Sequence, residues 1–268
     1  MNQPIIDARI NPVKLSLDST FCFDCHKNVS CFTECCNDIN IILTPYDIIR
    51  LKNRLGLSSE EFLQIYTEPQ LLEKTDLPIV TLKMLDNEKK SCPFVREDGC
   101  IIYKDRPTAC RYYPLGSGVL AHKDDVDNQD GFYFFIHEPH CKGFEEKSTW
   151  TVKSFKDDQG VEDYDAINHG WNELIVMKRS FPSNMHFTDK AKELFFMMSY
   201  NVDQFARFLQ DSSFIQIHQI NPDTAQKIMS DEIERIQFGY KFLKWLLFKQ
   251  GDFSVNQDLA EKRKNKAS

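Results

Sequence analysis

Phe23-Asp-Cys-His-Lys-Asn-Val-Ser-Cys-Phe-Thr-Glu-Cys-Cys36 is the stretch on which the reading of this chain turns. Four cysteines, Cys25, Cys31, Cys35 and Cys36, fall within twelve residues, and the last two are adjacent. Cys22 lies just upstream; Cys92, Cys100, Cys110 and Cys141 follow, and none comes later. Thiols this dense in one half of a chain serve either disulfides or metal.

The disulfide reading is weak. Nine is an odd number, and the vicinal pair Cys35-Cys36 bridges only with strain. The N-terminus, Met1 to Ile10, lacks a basic segment followed by an apolar one, so no export signal is expected. No apolar run approaches the ~18 residues of a membrane span. A cytoplasmic protein is expected, and there thiols stay reduced and clustered cysteines serve metals. Cys22-Phe-Asp-Cys25 is formally a redox CxxC, but no strand-to-helix junction accompanies it. Burial as a small hydrophobe suits Cys22, between two phenylalanines, and cannot account for all nine.

Metal ligation remains. Thiolates at Cys25, Cys31, Cys35, Cys36, Cys92, Cys100, Cys110 and Cys141 suffice for two four-thiolate sites. Such sites take zinc or an iron–sulfur cluster. Adjacent residues project apart, so Cys35 and Cys36 suit two metals or one polynuclear centre. His26, His137 and His140 are alternative ligands, each otherwise a surface or supporting histidine.

Composition bounds the rest. The chain has 268 residues, 41% hydrophobic and 27% charged, with a formal charge of −7. That balance argues against a nucleic-acid binder, which needs a basic face; only the tail from Glu261 is locally basic, and a solvated helix end explains it. No P-loop, dinucleotide fingerprint, H-E-x-x-H or radical S-adenosylmethionine spacing occurs.

Local signals give an α+β chain. Residues 1–20 read as extended or irregular. Thr44, Pro45 and Asp47 open a helix that Gly56 closes, and a short helix follows over 60–66. Pro78 to Leu85 alternates like a strand. Cys92–Val95 and Cys100–Tyr103 flank the turn Glu97-Asp98-Gly99 as a hairpin. Val119–His122 and Phe132–His137 are further strands, around an acidic loop over 123–130 that lacks calcium-site geometry. After Cys141 helical spacing dominates, over 149–158, 160–179 and from 187 through Leu209. Phe214–His218 reads as a short strand, and a final helical region follows Pro222. The expected organisation is a cysteine-rich half over 1–145, with short helices and antiparallel strands, and an all-helical half over 146–268. No motif of a cofactor site marks the helical half; it is a candidate surface for a protein partner.

Cys92-Pro-Phe, then Gly99-Cys-Ile-Ile-Tyr-Lys-Asp-Arg-Pro-Thr-Ala-Cys-Arg-Tyr-Tyr-Pro-Leu115, closely resembles the CxxCxxCC family, the YkgJ-type cysteine-cluster proteins with a zinc- or iron-chelating domain. Members join an N-terminal cluster ending in Cys-Cys to a later C-P-F, a C-x-I-Y and an R-P-x-x-C-R-x-Y-P. Here the first cluster is longer, Cys25-x5-Cys31-x3-Cys35-Cys36, and Leu43-Thr-Pro-Tyr-Asp47 follows it. The resemblance covers roughly residues 20–145. It implies metal ions as the binding partner, the eight cysteines as ligands, Cys25 rather than Cys22 among them, and iron or an iron–sulfur cluster, with zinc as the alternative. Family members are often described as iron–sulfur oxidoreductases, and a related cluster occurs in a flagellin lysine N-methylase, so redox or protein-modification chemistry is one expectation. Structural zinc binding and metal storage or delivery are the others. Arg106 and Arg111, with Lys104, stand beside ligands and would offset the charge of a thiolate centre. Pro93, Pro107 and Pro114 would stiffen the backbone around Cys92 and Cys110.

Overall fold

The computed structural model describes residues 10–118, 132–182, 185–259 and 261–262. The fold is α+β, with small antiparallel sheets towards the N-terminus and helices towards the C-terminus. Packing divides the chain into two compact units that alternate along it. One comprises residues 1–43 and 82–165, the other 44–81 and 166–268. Every cysteine belongs to the first.

In the cysteine-rich unit, Phe132–Ile136 is the central strand of a three-stranded sheet, between Ile10–Leu15 and Leu115–Gly118. Thr20–Cys22 pairs antiparallel with Thr149–Thr151, Cys22 opposite Thr149. The hairpin expected around Gly99 forms, but its paired residues are only Val95–Arg96 and Gly99–Cys100; a 3-10 turn takes Tyr103–Asp105. Residues 10–22 thus contribute two strands where the sequence read as extended or irregular. The helices Thr108–Tyr112 and Val152–Gln159 close the unit.

An aromatic core holds these short elements together. Phe21, Phe23 and Phe155 meet edge to face at centroid distances of 5.5–6.1 Å, and Phe144 joins at 5.3 Å from Phe23. Such pairs add about 0.5–1.5 kcal/mol each beyond area burial. The core offsets the slight hydrogen bonding of two- and three-residue strands.

A charged network anchors the helix Thr108–Tyr112. The Tyr112 hydroxyl donates to Asp165 at 2.5 Å. Lys156 lies 3.2 Å from the same carboxylate and donates to the Tyr133 hydroxyl at 2.8 Å.

The helical unit starts as the sequence predicts. Thr44 and Asp47 form a reciprocal capping box at the helix Pro45–Leu55, and Gly56 ends it at φ 68°. Ser58 and Glu61 repeat the box for Ser59–Tyr66. The strand Thr67–Leu72 then pairs with Leu77–Leu82. Helices occupy Asp189–Ser199, Val202–Asp211, Pro222–Ser230 and Glu232–Phe248. Phe62, Phe195, Phe205 and Tyr200 are fully buried among them. Phe214–Ile217 is a helical turn rather than the expected strand. Ring contacts with Phe208, Phe238 and Phe242 bury Phe214 there, and a four-residue apolar run carries no period of its own. The expected strand over 119–122 and the acidic loop over 123–130 lie outside the described residues.

Tyr112→Phe removes the bond to Asp165 and leaves Lys156 and Tyr133 as they are. Because Asp165 is part-exposed, the expected loss is about 1–2 kcal/mol. Urea unfolding should show a lower midpoint at unchanged slope.

Candidate metal centre

Four cysteines far apart in sequence line one pocket: Cys25, Cys31, Cys35 and Cys141, with Asp24, Tyr113, His140 and Gly143. Backbone pairing brings them together across more than a hundred residues. Phe23 N–H donates to Ser148 O at 2.9 Å, Asp24 N–H to Gly143 O at 3.1 Å, and the Trp150 indole to Phe23 O at 2.9 Å. Lys142 N–H then reaches the Cys31 sulfur at 3.1 Å. Gly143 is needed at this crossing. A Cβ there would stand 2.5 Å from the Phe23 ring and 2.8 Å from Asp24 O.

The turn carrying the vicinal pair is tight. Thr33 has φ 70°, a left-handed conformation that β-branched residues rarely adopt. The 3-10 turn Glu34–Cys36 follows. From it Cys35 faces the pocket, while Cys36 O accepts the Cys92 N–H at 2.8 Å. The adjacent pair therefore joins the pocket to the hairpin region, where Cys92 and Cys100 lie within electrostatic reach of each other. Phe32 packs under Gly99 of that hairpin, leaving 3.3 Å to an added Cβ at a residue with φ 121°. Cys110, on the short helix, shares the neighbourhood of Arg106 with Cys100.

Five of the thiols are pushed towards the protonated form. Burial raises Cys25 from 9.0 to about 11, with Cys35, Cys31, Cys141 and the Asp24 carboxylate adding repulsion. Cys35 is pushed far up, first by its hydrogen bond with Cys36, then by burial and by the charges of Cys36 and Glu138. Burial also raises Cys92, Cys100 and Cys141. Backbone donors oppose it: Phe94 and Val95 at Cys92, Ile102 at Cys100, and Gly143 at Cys141, where the Tyr113 phenol also lowers the value. Amides directed at sulfur stabilise a thiolate before any cation arrives. Among the described residues, no three cysteine, histidine or carboxylate side chains already stand in metal-binding array. The arrangement is a set of neutral thiols gathered short of coordination, which fits a thiophilic cation that displaces their protons.

The remaining candidates separate clearly. Cys22 is exposed on its strand, its sulfur 3.7 Å from the Thr149 hydroxyl. His26 Nε2 lies 3.5 Å from Glu146, and His137 stacks on Phe144 at 4.7 Å. His140 is the histidine at the pocket, 3.3 Å from the buried carboxylate of Glu138. The Arg106 guanidinium, buried beside Cys100 and Cys110, donates to Tyr103 O at 2.7 Å and to Gln159, and lies 4.0 Å over the Tyr103 ring. Arg111 donates to the carbonyls of Arg106, Gln159 and Lys104, so it braces backbone around Cys110. Lys104 is itself exposed. Sequence reasoning missed Tyr113, Glu138 and Gly143. Tyr113 stood inside the quoted motif, but nothing local marked the other two.

The convergent thiols are of the type that bind thiophilic metal ions. Residues 24–133 match the model of the CxxCxxCC family, described as a putative zinc- or iron-chelating domain. Comparison with curated proteins and with solved structures found no match. The matched residues end before Cys141, which the fold nevertheless brings into the pocket. Among the described residues no helix is long and apolar enough to cross a membrane.

Two measurements check this geometry. Cys25 binds its proton more tightly folded than unfolded, so its contribution is full below about pH 9 and is lost as pH rises towards 11. Metal-free protein should lose stability across that window in pH-dependent urea titrations, and Cys25→Ser should make the loss shallower without abolishing it, because Cys35, Cys92, Cys100 and Cys141 are raised too. Gly143→Ala should force Phe23 and Asp24 aside and lower metal affinity about 10- to 100-fold by competition titration.

Proposed function

We propose that the cysteine-rich unit chelates two divalent ions, zinc or iron, through eight thiolates in two groups. Cys25, Cys31, Cys35 and Cys141 form the pocket group; Cys36, Cys92, Cys100 and Cys110 form the hairpin group. The observation that carries this reading is the vicinal pair, with Cys35 in the pocket and side-chain bonded to Cys36, whose carbonyl accepts the Cys92 N–H. Tetrahedral thiolate sites suit either metal.

Two such sites carry a formal charge of about −4. Arg106, buried against Cys100 and Cys110, offsets part of it. The backbone donors to Cys31, Cys92, Cys100 and Cys141 offset more. Arg111 acts at one remove, by fixing the carbonyls around Cys110. Each bound ion adds Lewis acidity and a crosslink between distant segments. The protein then serves as a holder or carrier of metal, in the cytoplasm.

Anaerobic purification with elemental analysis and an absorption spectrum tests this. Two equivalents of zinc or iron per chain, without acid-labile sulfide, are expected. Cys110→Ser should lose the hairpin ion alone and Cys35→Ser the pocket ion. Acid-labile sulfide with a broad visible band, or metal unaffected by both substitutions, overturns the reading. At a free ion concentration 1,000-fold above Kd the metal should add about 4 kcal/mol to stability.

A further inference from the structure

We infer that the C-terminal arm, residues 250–259, is held to the helical unit by a proton-sensitive latch: neutral His218 seats the arm, and a proton bound there releases it. The inference concerns the helical unit alone and does not depend on the two-ion reading.

The arm is docked by its aromatic residue. Lys249 at φ 59° ends the helix Glu232–Phe248, and Gly251 at φ 91° turns the chain back. Phe253 then joins an aromatic cluster, 5.6 Å from Phe238, 5.2 Å from Phe242 and 5.6 Å from Trp245. Further along, Asn256 N–H donates to Ile217 O at 2.7 Å, next to His218 in the chain. The His218 ring lies in the same cluster, 4.6 Å from Phe214, 4.9 Å from Phe242 and 5.7 Å from Trp245. Phe242 and Trp245 therefore pack on both the histidine and the arm.

The cluster is poor in acceptors. Nδ1 of His218 is buried and has no hydrogen-bond partner. Aromatic faces surround the ring, and they accept a hydrogen bond weakly beside water. A neutral imidazole tolerates this, since one of its nitrogens carries no proton. An imidazolium does not, because both nitrogens then donate and a charge is buried. Burial pulls His218 below its ordinary value of 6.5, and a backbone bond to Ser254 on the arm, which favours the charged form, does not offset it.

The charged groups of the surrounding elements do not compensate. On the helix, Arg235 is turned to the carbonyls of Ile228 and Met229, and Lys244 pairs with Glu173. Lys249 bonds to Leu246 O and lies 6.0 Å over the Trp245 ring. Lys241, Asp252 and Asp258 are exposed, as is Asp211 on the helix whose Phe208 meets Phe214. The released arm thus binds the proton more tightly than the seated one. Seating is complete above about pH 6.5 and weakens as pH falls below it, with an upper limit of about tenfold in the released-to-seated ratio per pH unit.

Amide hydrogen exchange on the full chain tests this, reading the protection of Asn256 after correction for intrinsic rates, from about pH 7.5 to about 5.5. Protection should be constant above about pH 6.5 and fall below it, by up to about tenfold per pH unit, while amides of the helix Asp189–Ser199 keep theirs. His218→Phe keeps the cluster filled and should remove the pH dependence. Linkage supplies a second readout that does not need this variant. Followed by NMR, the His218 ring should titrate below 6.5 in the wild-type protein and return towards it in Phe253→Ala, whose arm is unseated. Asn256 protection that is constant over the whole range, a fall matched in the helix Asp189–Ser199, or a His218 titration unmoved by Phe253→Ala overturns the inference.

Discussion

The constraint on which the cysteine-rich unit depends is the crowding of thiols around Cys35. Its bond with Cys36, burial and the charges of Cys36 and Glu138 all oppose its ionisation. Without a cation the centre is stable only with its protons in place. A divalent ion inverts that logic. The repulsion that raises Cys25, Cys35, Cys92, Cys100 and Cys141 would become attraction to a shared charge, and the backbone amides already directed at Cys31, Cys92, Cys100 and Cys141 would then favour the bound state. One local arrangement therefore accounts for the raised thiols, the small pocket and the family's chelating character.

Bringing these sulfurs together is costly in chain entropy. Cys25 and Cys141 are 116 positions apart, and closing a loop that long is unfavourable before any contact forms. The two-strand pairing of Thr20–Cys22 with Thr149–Thr151 is too short to offset it alone. The offset comes from the aromatic residues next to the ligands. Phe23 is two residues before Cys25 and Phe144 three after Cys141, and their rings meet at 5.3 Å. Core packing and ligand placement are thus one construction, so a change at Gly143 or Phe23 acts on the pocket without touching a sulfur.

What the sequence made legible follows the range of the interactions. The capping box at Thr44 and the closing Gly56 are local, and they stand where spacing put them. Thr67–Leu72 escaped notice because Glu68, Pro69 and Gln70 are polar or strand-averse and exposed; pairing with Leu77–Leu82 makes it a strand. Phe214–Ile217 went the other way, since its aromatic neighbours come from distant helices. At the centre, the pocket thiols were all among the candidates by sequence. Which of them face one another was not legible, because the crossing of Asp24 with Gly143 has no signature in spacing. Arg111 illustrates the same limit: placed one residue from Cys110 it suggests a sulfur partner, yet its donors go to carbonyls.

The vicinal pair limits how independent two centres can be. Cys35 and Cys36 belong to one three-residue turn, preceded by a strained Thr33 whose left-handed backbone costs about 1–3 kcal/mol. A ligand change at Cys35 pulls on that turn and, through Cys36 O, on the Cys92 amide. Cys141 sits beyond the family's matched residues yet lines the same pocket as Cys25, Cys31 and Cys35.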